Sequence, residues 1–209
     1  MIDDYSIEYS EKTAVNWIFQ VAQAVNYLRR ISKANEGFYR NINPSNMFLD
    51  EKYETLKIFN LDITIVANDE LTKIHEKQVY VAPEIINGGY VSCEKSDTYS
   101  LALSLEHCLT REMPFSSCRN DVCFEVCKNS DYYQSKLDFA FPIIESCTLI
   151  DPQSRLDTLR MIRFLDTSIN IYSNPKNLQV SFLEFQSNFL NIFSFPYFRN
   201  IFVRIQQKL

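Results

Sequence analysis

The residues from which nucleophilic, metal or phosphate chemistry could be built are few: six cysteines, two histidines and three glycines in 209 residues. Cys118, Cys123 and Cys127, with His107 in the same region, come nearest to a metal set. They form no paired C-x-x-C knuckles, and a closed zinc site needs four ligands in defined geometry. A short amphipathic helix with small buried thiols is expected there instead. His75 lies in a polar stretch with no serine or cysteine context that would complete a triad, and it reads as a surface or loop histidine. Gly37, Gly88 and Gly89 cannot spell G-x-G-x-x-G or G-x-x-x-x-G-K, so the chain has no glycine-rich phosphate cradle.

Composition narrows the class further. A chain of 24.6 kDa with 46% hydrophobic residues fills a proper core and suits one domain or slightly more. The formal charge of −5 and pI near 5.1 argue against general nucleic-acid binding, which draws its affinity from Lys and Arg on phosphates. The opening Met-Ile-Asp-Asp-Tyr shows no secretory signal, and nowhere do 18 apolar residues follow one another. The expectation is a soluble, cytoplasmic protein with no transmembrane segment and reduced thiols.

Hydrophobic spacing predicts the elements. Ala14, Ile18, Val21, Ala22, Val25 and Leu28 form the stripe of an amphipathic helix of roughly twenty residues beginning at Ser10. Met47-Phe48-Leu49, a charged turn from Asp50 to Glu54, and Leu56-Lys57-Ile58-Phe59 read as a short β-hairpin. An irregular segment from Asn60 to about Tyr80 is longer than most loops of compact domains. Ser96-Asp97 is expected to cap a mostly apolar central helix running to about Leu109, with Glu106 its only acid and Pro114 closing the unit. Further helical patterns fall at Asp121 to Cys127, Phe141 to Leu149 and Leu156 to Leu165. The tail from Leu178 to Leu209 carries Phe182, Phe185, Phe189, Phe193, Phe195, Phe198 and Phe202. It reads as two helices interrupted at Pro196, docked on the body or turned toward a partner or a membrane surface.

One ordered set of motifs has a family likeness. Tyr39-Arg40-Asn41-Ile42-Asn43-Pro44-Ser45-Asn46 resembles the catalytic loop of protein kinases, H-R-D-L-K-P-x-N. Leu56-Lys57-Ile58-Phe59-Asn60-Leu61-Asp62 follows where kinases carry L-K-I-x-D-F-G, and Tyr80-Val81-Ala82-Pro83-Glu84 matches their A-P-E segment. Glu94 to Leu101 resembles the start of the kinase central helix, Pro114-Phe115 its end, and Asp151-Pro152-Gln153-Ser154-Arg155 the late D-P-x-x-R motif. The resemblance covers about residues 10 to 165. It implies a mainly α (α+β) fold, a helical carboxy-terminal kinase lobe with a small β-hairpin and the amino-terminal lobe absent; from its own apolar pattern the Phe-rich helical tail over 166–209 is expected to dock on the lobe. The stretch from Glu94 to Phe115 is similar to mitogen-activated kinase kinase kinases, especially the TGF-beta-activated kinase type.

Carried over position by position, the resemblance leaves the phosphotransfer machinery incomplete. The general-base carboxylate is replaced by Asn41, whose neutral amide cannot accept a proton near pH 7. The magnesium-holding carboxylate is replaced by Asn60, a poorer ligand for a hard cation, and the lysine that assists the transferred phosphate by Asn43. Only Asn46 keeps its metal-binding identity, as a vestige. A general base alone contributes roughly 10²–10⁴ in rate, about 3–5 kcal/mol of barrier. The residues with architectural roles are retained: Glu84 is expected to pair with Arg155, and Asp97 to accept hydrogen bonds from the backbone around Tyr39-Arg40. Arg40 would receive an activation-loop phosphate in many kinases, but Thr64 and Thr72 are the only hydroxyl candidates between Asn60 and Tyr80, and Lys77 takes the usual Ser/Thr place. A solvated loop without a phospho-switch is expected.

The resulting expectation is a catalytically inactive, kinase-like binding or regulatory module in intracellular signalling, with protein partners and neither ATP nor magnesium as cofactor. The alternative is a member or truncated product of a MAPKKK-like serine/threonine kinase family using ATP and magnesium. A third reading is a decaying duplicate with no role.

Overall fold

In the computed structural model, which describes residues 7–31, 42–59, 78–87, 93–114 and 140–173, the first helix begins where its cap predicts. The Thr13 N–H donates to Ser10 Oγ at 3.2 Å and the Ala14 N–H to the Ser10 carbonyl at 3.1 Å. Helix α1 (Glu11–Ile31) has an acidic first turn and Arg29 and Arg30 in its last, both complementing the helix dipole. Its stripe of Ala14, Ile18, Val21, Ala22 and Val25 is buried.

Strands β1 (Met47–Leu49) and β2 (Leu56–Ile58) pair antiparallel, with Met47 opposite Ile58, Phe48 opposite Lys57 and Leu49 opposite Leu56. Asp50 organises the connection: its Oδ1 accepts the N–H groups of Glu54 at 2.9 Å and Thr55 at 3.2 Å. Tyr53 takes the left-handed conformation at φ 58°, which disfavours a non-glycine residue by about 1–2 kcal/mol. Its N–H donates to the Asp50 carbonyl at 3.0 Å, and its carbonyl accepts the Trp17 indole N–H at 2.8 Å. Gln20 of α1 grips the hairpin twice, donating from Nε2 to the Glu54 carbonyl at 2.9 Å and accepting the Leu56 N–H on Oε1 at 3.0 Å.

The short α2 (Pro83–Ile86) precedes the central helix α3 (Cys93–Thr110), then come α4 (Phe141–Cys147) and α5 (Thr158–Ser173). Helix α1 packs on α5, α3 and β2, and α3 also packs on α4 and α5. One apolar cluster joins Val21 and Val25 of α1, Leu101 and Leu105 of α3, Ile144 of α4 and Phe164 of α5. Among the described residues no helix is long and apolar enough to cross a membrane.

Several helix boundaries differ from expectation: α4 ends at Cys147 rather than Leu149, and α5 begins at Thr158 rather than Leu156. Helix α3 starts at Cys93, so Ser96 and Asp97 are interior residues rather than caps, and the helix also takes in Glu94. The physical reason is that Ser96 Oγ is used elsewhere, donating to Glu84 Oε1 at 3.0 Å, while Thr98 Oγ1 already bonds back to the Glu94 carbonyl at 2.7 Å. Helix α5 continues past Leu165 to Ser173, across the limit drawn between lobe and tail. Arg40, Asn41, Asn60, His75, Cys118, Cys123, Cys127, the helix expected at 121–127 and the tail from Leu178 lie outside the described residues.

The central helix is buried around its whole circumference, as its sequence requires. Its hydroxyls survive there by bonding to carbonyls one turn back: Ser100 to Ser96 at 3.1 Å, Ser104 to Ser100 at 2.8 Å and Thr110 to Glu106 at 2.9 Å. Cys108 and Cys147 are fully buried free thiols; burial pushes the Cys108 thiol up to about 12 and that of Cys147 higher still. Since the thiolate is the reactive form, iodoacetamide at pH 8 is expected to leave the peptides holding these two unlabelled until denaturant is added. Native-state labelling of either peptide, read by mass spectrometry, would contradict the burial.

Candidate functional site

The segment resembling a catalytic loop is seated by its apolar and amide residues. Ile42 is core, and Asn43 and Asn46 are 1% and 3% exposed. Pro44–Asn46 form a single 3-10 turn that runs directly into β1. Asn43 caps it: Oδ1 accepts the Ser45 N–H at 3.1 Å, and its carbonyl accepts the Asn46 N–H at 3.0 Å. The Asn46 carbonyl in turn accepts the Phe59 N–H at 2.9 Å, which fixes the residue just past β2, one before Asn60, against Asn46. The turn and the hairpin are therefore one hydrogen-bonded unit. Asn43 and Asn46 supply neutral amides, which donate and accept but neither abstract a proton near neutrality nor neutralise phosphate charge.

The architectural pair is present with full geometry. Arg155 and Glu84 form a bidentate bridge, Nη1 to Oε1 at 2.6 Å and Nη2 to Oε2 at 2.7 Å, with the arginine side chain buried. The remaining guanidinium donors reach backbone carbonyls: Nε to Leu149 at 2.5 Å, Nη1 to Lys95 at 3.3 Å and Nη2 to Ile150 at 3.2 Å. The guanidinium carbon lies 5.0 Å from the Tyr99 ring centroid, and Lys95 Nζ donates to the Arg155 carbonyl. Asp97 is fully buried; its expected backbone contacts at Tyr39-Arg40 fall outside the described residues.

Several contacts around the site gave no signal in sequence. Tyr80 and His107 share a hydrogen bond of 2.5 Å between the phenolic oxygen and Nδ1, with their rings parallel to within 10°. His107, considered above with the cysteines, is thus a buried partner of the segment ending in Pro83-Glu84. The Tyr80 carbonyl accepts Ser100 Oγ at 2.7 Å, so α3 holds this segment through two side chains. Glu94 accepts both the Arg29 guanidinium at 2.8 Å and the Thr158 N–H at 3.2 Å, tying α1, α3 and the start of α5 together. These contacts join positions far apart in the chain, which periodicity does not report.

Comparison with known proteins agrees with this architecture. The protein kinase domain family matches residues 2–178. The chain is 32% identical over 113 residues to a protein of Drosophila melanogaster named mitogen-activated protein kinase kinase kinase 7-like, covering 54% of this chain and 28% of that protein. It is 27% identical over 118 residues to mitogen-activated protein kinase kinase kinase mom-4 of Caenorhabditis briggsae, with 54% and 20% covered. With serine/threonine-protein kinase prp4 of Schizosaccharomyces pombe it shares 25% over 189 residues, covering 84% and 38%. The chain belongs to the protein kinase family, with a relationship to its MAPKKK-type members. It spans less than a third of the length of the first two relatives.

Proposed function

We propose that this chain is a catalytically inactive member of the kinase family that serves as a binding or regulatory module in signalling, its partners being proteins in the cytoplasm. The observation that carries the reading is the pair of amides, Asn41 and Asn60, at the two motif positions where phosphoryl transfer needs carboxylates. Asn43 adds to it. Where a lysine would assist the phosphate there is a buried amide whose oxygen is committed to the Ser45 N–H. With no general base and a weakened metal seat, neither ATP nor magnesium is expected to bind productively.

The kinase names of the relatives favour a second reading, ATP- and magnesium-dependent phosphotransfer of the serine/threonine MAPKKK-like kind. Incubating the purified chain with labelled ATP and magnesium or manganese separates the two. No incorporation above the Asn46→Ala background, and no thermal shift with ATP in either metal, are expected. Incorporation that disappears in Asn46→Ala would establish the second reading and remove the first.

A further inference from the structure

We propose that Tyr9 is a site of tyrosine phosphorylation and that a phosphate there unlatches the segment Ile7–Ser10 from the end of the central helix. This segment is non-helical and is held in place by side chains. Tyr9 Oη donates to the Cys108 carbonyl at 2.8 Å, Arg111 Nη2 donates to the Ile7 carbonyl at 2.7 Å, and the Arg111 guanidinium carbon lies 4.1 Å from the Tyr9 ring centroid. Arg111 does this from the left-handed conformation at φ 58°, just past the last residue of α3. The Tyr9 ring in turn stands 4.6 Å from that of Trp17, which is 1% exposed and holds the hairpin through the Tyr53 carbonyl.

The hydroxyl is useful here only as a donor. Cys108 is among the last four residues of α3, whose carbonyls have no partner inside the helix and carry the negative end of its dipole. A phosphate brings about two negative charges and strong acceptor oxygens, so it exchanges the hydrogen bond for repulsion by the carbonyl and the dipole. Arg111 does not offset this, since its guanidinium lies over the ring face with Nη2 committed to Ile7.

Access and charge suit a separate tyrosine kinase. Tyr9 is half-buried, and a neutral hydrogen bond and a cation–π contact are individually weak, so the segment lifts into reach in a small fraction of molecules. Asp3, Asp4, Glu8 and Glu11 flank the tyrosine and complement an enzyme with a basic substrate groove. In the transfer the bond from the γ-phosphorus of ATP to its bridging oxygen breaks, the bond from phosphorus to Tyr9 Oη forms, the phenolic proton passes to that enzyme's base, and ADP leaves. The inference does not depend on whether this chain itself transfers phosphate.

The test produces the full chain with and without a co-expressed broad-specificity tyrosine kinase and maps the phosphates by fragment-ion mass spectrometry. Trp17, the chain's one tryptophan, is read by acrylamide quenching. Phosphate on Tyr9 is expected, together with a rise in quenching of about threefold as local opening uncovers the indole. Phosphatase should reverse the rise, and the Tyr9→Phe chain, which keeps the ring beside Trp17 and loses only the hydroxyl, should not show it after the same treatment. No phosphate on Tyr9, or phosphate on Tyr9 with Trp17 shielded as before, would overturn the proposal.

Discussion

Arg155→Ala is expected to destabilise the chain by about 3–5 kcal/mol, the cost of stranding one member of a buried ion pair. For a chain of this size that corresponds to a fall in Tm of roughly 6–20 °C. The magnitude follows from how completely the side chain is used: two bonds to Glu84 and three to the carbonyls of Leu149, Lys95 and Ile150. Alanine leaves the Glu84 carboxylate, itself only 10% exposed, with its charge uncompensated. Lysine is not a substitute, since a point charge cannot serve two carboxylate oxygens and three carbonyls from one planar fork. Glu84→Leu combined with Arg155→Met, which removes both charges, should recover a large part of the loss. Thermal melts of the four proteins check this, and an alanine variant melting within 2 °C of the parent would refute the assigned role.

The second large effect has the opposite sign. Glu106 is 1% exposed in the central helix, and its Oε2 has no hydrogen-bond partner among the described residues. Burial holds its carboxyl well above the ordinary value of 4.5, so the folded state keeps a proton that the unfolded chain releases. Its contribution is therefore fully present below about 4.5 and is lost as the pH rises through the raised folded value. Glu106→Leu removes both the unsatisfied polar atom and the titration. A gain of about 1–3 kcal/mol near pH 7 is expected, with a smaller gain at pH 5. Urea melts at the two pH values measure the difference. A variant no more stable than the parent at pH 7 would show that the carboxyl is satisfied.

Elements whose burial follows a simple period were legible in sequence. The stripe from Ala14 to Val25 predicted α1, and the alternation of Leu56 and Ile58 predicted β2. The central helix was legible as a mostly apolar run, but its start was displaced by three residues because Ser96 and Asp97 resemble a cap. Only the tertiary partner Glu84 shows that the Ser96 hydroxyl is engaged elsewhere. The Glu84 and Arg155 pair was legible through motif order, whereas the carbonyls that complete it were not, since every residue carries a carbonyl and only folding selects Leu149, Ile150 and Lys95. Tyr80 with His107 is a contact of the same kind. In sequence His107 could only be weighed with the cysteines and set aside as a metal ligand; its position in the fold makes it a hydrogen-bonding partner of Tyr80.

The double grip of Gln20 has a consequence for association. A carboxamide has the donor and acceptor of a peptide group, and here it presents both to the outer side of β2, filling the places at the Leu56 N–H and Glu54 carbonyl that an incoming strand would take. A two-stranded ribbon would otherwise offer that side as a template for strand addition and aggregation. One side chain on a neighbouring helix thus terminates the described ribbon on its β2 side.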